Sequence, residues 1–300
     1  MINMNYLIGR KEMITASITI YDENNRIDDI AMAKLFERIF KDGADGFFVG
    51  GSVGECFLLS DEERIHLFEL ASRYINRGTI YAHVGTIGTE HAVHMAKAAK
   101  SMGIKNIGAT PPFYFGFTPK EVAQYYYDLA EAIDGPVLYY DIPSSTHKDL
   151  DTDNSEIKAL LQSGAINAIK HTNLLSYRAK KIRELNPGIK IMGGFESRVI
   201  PMLNYHCDGF IGSTFNFMLP QYNKIVEMYD SPDKAPLFKI VSDSVEILQL
   251  LLDLGLPASI KHILSQQGLY TGPVRKPLLP LNDEAKRKLD KVLEEKLIYR

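Results

Sequence analysis

Eight short apolar runs alternate with helix-like segments along most of this 300-residue chain, and few architectures accommodate such a rhythm. The runs cover residues 13–21, 46–50, 79–84, 106–110, 136–142, 165–171, 189–193 and 209–213. Between them, apolar residues recur at helical spacing, as at Ala31, Leu35 and Ile39, and at Ile65, Leu67 and Leu70. Ser60-Asp-Glu-Glu63 and Thr118-Pro-Lys-Glu121 have the layout of capping boxes, the second with proline at the first helical position. Gly43, Gly78, Gly103, Gly135 and Gly164 stand where left-handed helix stops are expected. Eight strand–helix units without a long linker predict an α/β fold, a (β/α)8 TIM barrel, over residues 1–230. Helical periodicity alone from about residue 217, as in 241–254 and 283–296, predicts the eighth barrel helix and then a C-terminal helical extension over 231–300. A doubly wound sheet is the alternative, but no G-x-G-x-x-G follows the first strand.

Composition removes several functional classes. Thirty-four Lys and Arg against 37 Asp and Glu give a formal charge of −3, with no basic footprint for nucleic acid. Cys56 and Cys207 are far apart and lack CxxC spacing, so neither a disulfide framework nor a metal site is expected. No apolar run reaches the roughly 18–20 residues that span a bilayer, and residues 1–11 lack the layout of a signal peptide. A cytoplasmic protein without membrane or nucleic-acid partners is expected.

A barrel places its site at the C-terminal ends of the strands. Lys170 closes the run 165–169 and precedes the polar His171-Thr172-Asn173, so it is expected at such an end. The run 136–143 carries Tyr139 and Tyr140 towards the same end of a neighbouring strand, and alternation puts only one of them inside. Removing hydration from an amine favours its neutral, nucleophilic form. Lys170 could then add to the carbonyl carbon of a 2-keto acid, with Tyr140 moving the protons. The glycine-rich turn Gly50-Gly-Ser-Val-Gly-Glu55 can point successive N–H groups inward, a nest suited to a carboxylate or phosphate, with the Ser52 hydroxyl inside it. Among the histidines, His83 reads as strand core, and His66, His91, His94, His206 and His262 as helical; His147 and His171 lie near strand ends within reach of a ligand. Asp61-Glu-Glu63 and Asp151-Thr-Asp153 read as charges at helix N-termini.

Gly-Gly-Ser-x-Gly-Glu from residue 50, Pro-Phe-Tyr at 112–114, Tyr-x-Ile-Pro at 140–143, the strand-end Lys170 and Gly-Ser-Thr-x-Asn at 212–216 follow in an order that resembles the pyruvate-dependent class I aldolases, the family of N-acetylneuraminate lyase and dihydrodipicolinate synthase. The resemblance covers nearly the whole chain. It implies a TIM barrel with a C-terminal helical domain, assembled as a homotetramer. It implies Lys170 as the Schiff-base lysine, with no cofactor beyond that covalent imine, and Tyr140 as general acid/base. It further implies Ser52 and the Val53 backbone as the carboxylate site, and Tyr114 as a hydroxyl relay inserted from a neighbouring subunit. Thr172, Gly194, Glu196 and Ser213 are the residues expected to contact the sugar-like part of a small-molecule 2-keto acid.

The lyase branch is the more similar, through Gly212-Ser-Thr-Phe-Asn216 and Gly272-Pro-Val-Arg-Lys-Pro277. The synthase branch typically carries arginine where this chain has Ser145. Val53 stands in place of Thr, Asp141 in place of Asn and His147 in place of Gly, and Glu196-Ser197 occupies the position of an Asp-Glu pair for polyol hydroxyls. The run Thr146-His-Lys-Asp-Leu150 is distantly similar to 2-keto-3-deoxy sugar acid aldolases. N-acetylneuraminate is therefore the first substrate expected, narrowly ahead of a shorter keto-deoxy sugar acid. A synthase-like condensing enzyme, a keto-acid-binding barrel without turnover and a phosphate-binding barrel isomerase are the alternatives.

Overall fold

The structure, a computed structural model, describes residues 10–298; the reading of residues 1–11 falls almost wholly on residues outside that range. In chain order the elements are β1 (Glu12–Ala16), α1 (Asp29–Lys41), β2 (Gly46–Val49), α2 (Asp61–Ser72), β3 (Thr79–His83), α3 (Thr89–Ser101), β4 (Asn106–Ala109), α4 (Pro119–Ala132), β5 (Val137–Asp141), α5 (Pro143–Thr146), α6 (Ser155–Gln162), β6 (Ile166–His171), α7 (Arg178–Leu185), β7 (Lys190–Gly193), α8 (Val199–Asn204), β8 (Gly209–Gly212), α9 (Phe215–Met228), α10 (Ala235–Leu254), α11 (Leu256–Gln266) and α12 (Asp283–Lys296). The strands neighbour one another in chain order and close into a barrel, the expected (β/α)8 architecture, with further helices after β8. Short buried strands such as β2, apolar along its whole length, are what a parallel barrel requires.

All eight expected strands are present, most of them trimmed at their ends. The first is cut most: the ladder stops at Ala16 rather than Tyr21. Beyond it the backbone finds other partners, Ser17 N–H at Phe48 O (3.1 Å) and Tyr21 N–H at Thr271 O (3.2 Å). Ile18 N–H donates to the Asn216 side chain at 3.4 Å. Both capping boxes form. Gly43, Gly103 and Gly164 are left-handed as expected; Gly78 and Gly135 are not, and Asp134 (φ 45°) takes that role beyond α4. Asp61, Glu62 and Glu63 lie in the first turn of α2. Asp151 and Asp153 instead precede α6, whose cap is Asn154, and Asp153 pairs with Lys181 at 3.1 Å. His206 is not helical: α8 ends at Asn204, and His206 turns the chain at φ 56°.

The described residues pack as two compact units, one of Arg10–Glu12 with Ser72–Ile211, the other of Met13–Ala71 with Gly212–Ile298. The expected boundary at 230 falls between α9 and α10. In the first unit Tyr126 stacks on Tyr139, ring centroids 4.5 Å apart. In the second, Phe36 stacks on Phe47 at 4.1 Å. Cys207 is buried, which pushes its thiol up to about 12. Among the described residues no single helix is long and apolar enough to cross a membrane.

Candidate active site

In the first unit, β5 and β6 run parallel with Tyr140 opposite Lys170 and Asp141 opposite His171. Register partners share a face of the sheet, so Tyr140 and Lys170 project together. The Lys170 ammonium sits 3.9 Å from the centroid of the Tyr140 ring, and only 4% of Lys170 is exposed. Tyr139 faces the other way, onto Tyr126. Burial, with the Asp141 charge adding to it, holds the Tyr139 phenol well above its usual range, so it stays protonated. The choice between the two tyrosines thus falls to Tyr140.

His83, read from sequence as strand core, is buried but does more than fill space. Its Nε2 accepts the Thr110 N–H at 3.2 Å, and its ring meets Tyr140 edge-on, 5.8 Å between centroids and 80° between planes. It therefore limits how the Tyr140 ring can rotate. Nothing in the spacing of the sequence marks this role, since β3 and β5 are not adjacent strands.

Gly194, directly after β7, makes room for the lysine. A Cβ there would stand 2.2 Å from Thr172 Oγ1 and 2.9 Å from Lys170 Cγ. Thr172 Oγ1 is buried and makes no hydrogen bond within the described residues, a polar atom left for a ligand. Glu196 is buried at the start of a short 3-10 turn after β7. Gly194→Ala is expected to push Lys170 from its position and lower kcat/KM about 10²-fold, with the circular dichroism spectrum unchanged; activity within a few-fold of wild type would show that the lysine tolerates the shift.

Two residues near strand ends take other places. His171 and Asp141 are both wholly buried, with Nδ1 and Oδ2 2.9 Å apart. By alternation they point away from Lys170, so His171 does not reach a ligand of that lysine. His147 caps α5 in the left-handed conformation and is exposed. Tyr114 follows β4 with φ 76° and is 84% exposed. Its ring meets Phe115 edge-on at 5.1 Å.

In the second unit, the glycine-rich turn after β2 forms a short 3-10 segment, Ser52–Gly54. Ser52 is exposed and Val53 buried. The N–H groups of Gly54 and Cys56 donate to Gly51 O, and that of Glu55 to Ser52 O. The expected nest is therefore narrower than the sequence suggests, because the N–H groups of Gly54 and Glu55 turn back onto carbonyls of the turn itself. A Cβ on Gly51 would lie 2.8 Å from the Phe48 ring, and one on Gly54 3.0 Å from Ser17 O, so the backbone is packed too closely for larger residues. Ser213 follows β8 and is half-buried; its carbonyl accepts from Asn216 Nδ2 at 2.7 Å, and the same amide donates to Ala16 O at 2.7 Å.

Sequence reasoning missed a charge cluster behind this turn. Arg275 donates to both carboxylate oxygens of Glu63 at 2.6 Å. These bonds hold the Glu63 carboxyl below the usual carboxylate range. A group whose pKa falls on folding stabilises the fold above its unfolded pKa, and the contribution fades as pH drops through the folded value. Glu63→Gln should therefore lower Tm at neutral pH, with the difference from wild type shrinking towards zero in acid; a pH-independent difference would mean that packing, not charge, is at stake. Among the described residues no group of three or more His, Cys, Asp or Glu is placed to hold a metal ion.

Comparison with known proteins adds to this geometry. The model of the dihydrodipicolinate synthetase family matches residues 10–296. An N-acetylneuraminate lyase from Salmonella paratyphi A is 30% identical over 275 residues, 91% of this chain and 92% of that protein. The crystal structure of N-acetylneuraminate lyase from Fusobacterium nucleatum is 26% identical, covers 98% of this chain and 100% of its own, and superposes with a TM-score of 0.87. The 4-hydroxy-tetrahydrodipicolinate synthase from Methylacidiphilum fumariolicum is 25% identical over 96% of both chains, with a TM-score of 0.88. With a family model spanning almost the whole chain and both branches similar to it, the protein belongs to the dihydrodipicolinate synthetase family, a family of aldolase-type lyases.

Proposed function

We propose that the protein is a class I aldolase that cleaves or forms a 2-keto acid through an imine on Lys170. The observation that carries this reading is the buried Lys170 amine lying 3.9 Å over the Tyr140 ring on paired strand ends. In the cleavage direction the amine adds to the 2-oxo carbon, and loss of water gives a protonated imine. Deprotonation of the C4 hydroxyl then expels the aldehyde; the C3–C4 bonding pair passes into the imine, leaving an enamine. Protonation at C3 and addition of water release pyruvate and restore the amine. Tyr140 carries the protons for water loss and aldehyde departure. Ser52 and the Val53 N–H take the keto-acid carboxylate; Thr172, Gly194, Glu196 and Ser213 face the remainder of the substrate. No separate cofactor takes part. The protein acts in the cytoplasm as a homotetramer in which a neighbouring copy lends Tyr114, a role its 84% exposure favours.

N-acetylneuraminate is the first substrate, supported by the likeness to proteins bearing that name. Ser197 beside Glu196 favours the second reading, a shorter 2-keto-3-deoxy sugar acid, because one acid fewer is available to polyol hydroxyls. A condensing synthase is the third, and Ser145 in place of an arginine argues against it. Pyruvate release from N-acetylneuraminate and a panel of keto-deoxy sugar acids, coupled to lactate dehydrogenase, separates these. Borohydride reduction in the presence of pyruvate should fix an adduct on Lys170. Tight keto-acid binding without turnover would point to a binding barrel, and no adduct at all would revive an isomerase.

A further inference from the structure

The turn that carries Ser52 ends in an unusual way. Glu55 adopts φ 63°, a conformation uncommon for a residue with a side chain, and its N–H closes the turn on Ser52 O at 3.0 Å. Where Glu55 is held therefore decides where Ser52 stands. Thr19 Oγ1 fixes the middle of the turn by donating to Gly54 O at 2.7 Å. The Glu55 side chain is wholly buried, and it is held from the far end of the chain. The Lys261 ammonium on α11, itself 4% exposed, forms an ion pair with Oε1 at 2.8 Å. The Arg275 N–H donates to Oε2 at 2.7 Å. Lys261 also donates to Pro273 O at 2.9 Å, tying helix and following loop into one brace. The Arg275 guanidinium donates to Leu58 O (3.1 Å), just beyond the turn, and to Asn25 O (2.8 Å) in the loop before α1, as well as to Glu63. The two cations also lie against the Tyr21 ring, at 4.1 Å and 4.5 Å from its centroid. Burial lowers the Lys261 amine from its usual range while Glu55 opposes it, so the carboxylate is what keeps the charge in place.

We infer that Lys261 and Arg275 are positioning residues of the Ser52–Gly54 turn, so that the C-terminal helices set the affinity for the carboxylate of the keto acid. A buried ion pair contributes little net stability over a well-packed apolar pair, and here its value lies in where it holds Glu55. Only the carboxylate assignment rests on the proposed imine chemistry; the bracing of the turn stands on the contacts alone.

The test is Lys261→Met in the full chain. Borohydride trapping across a pyruvate titration gives the half-saturating concentration and the maximal adduct, and amide hydrogen exchange reports on the peptide spanning residues 50–58. The expected result is a half-saturating pyruvate concentration raised about tenfold or more with the maximal adduct retained, together with faster exchange in that peptide. A smaller rise overturns the inference, even if Tm falls, because a purely structural role would lower Tm alone. If the wild-type protein forms no adduct, the imine reading fails, and exchange then decides: faster exchange in the variant supports the brace and unchanged exchange overturns it. If Lys261→Met does not fold, Lys261→Met with Glu55→Gln, which leaves no charge buried alone, is judged by the same criteria.

Discussion

Lys170→Ala is expected to lower kcat by at least about 10⁴-fold and to abolish the borohydride adduct, because the substitution removes the only atom at this position that can form the imine. Lys170→Arg should be equally inactive, since a guanidinium stays protonated and cannot act as a nucleophile. The Lys170→Ala fold should survive, because the smaller side chain fits the same space and the neighbouring Gly194 and Thr172 backbone is fixed by the strands. Steady-state pyruvate release and mass spectrometry after reduction read this directly. Turnover in Lys170→Ala within tenfold of wild type would end the imine mechanism.

Tyr140→Phe should cost about 10²–10⁴-fold in kcat, the usual value of a placed proton carrier, with KM little changed. The substitution is informative because the ring remains. The edge contact with His83 and the cation above the ring depend on the ring and not on the hydroxyl. A loss of kcat with these ring contacts kept therefore falls to the hydroxyl. Adduct formation with pyruvate should become slow yet still reach completion on long incubation. A kcat within twofold of wild type would assign the proton to another group.

The architecture was legible because a parallel barrel writes itself locally. Most strands are short runs buried on both faces, and some helices announce their start, as Thr118 and Glu121 do for α4. Ends were less legible where side chains or loops substitute for the ladder, as beyond Ala16. The pairing of Tyr140 with Lys170 could be read from alternation on adjacent strands. The prop under Tyr140 could not, because His83 comes from a strand that is not its neighbour. Nor could the ties on Glu55: a carboxylate whose hydrogen-bond donor lies 220 residues away leaves no spacing to detect. The glycines of the 50–54 turn suggested an open nest, but carbonyls within the turn claimed the N–H groups at its end, those of Gly54, Glu55 and Cys56.

The way the second unit is assembled bears on how the protein is made. Its first part, Met13–Ala71, leaves the ribosome early, while its partner segment begins only at Gly212. The contacts that seat Glu55 wait for Arg275, and those at Asn25 join residues 250 apart. Closing loops of that length is entropically costly and slow. Through most of translation the nascent chain must therefore carry its first two strands unfinished, exposed to chaperones and to premature association. A stop codon before Lys261 would cost far more than the helices it removes, since it would leave Glu55 without the two residues that seat it.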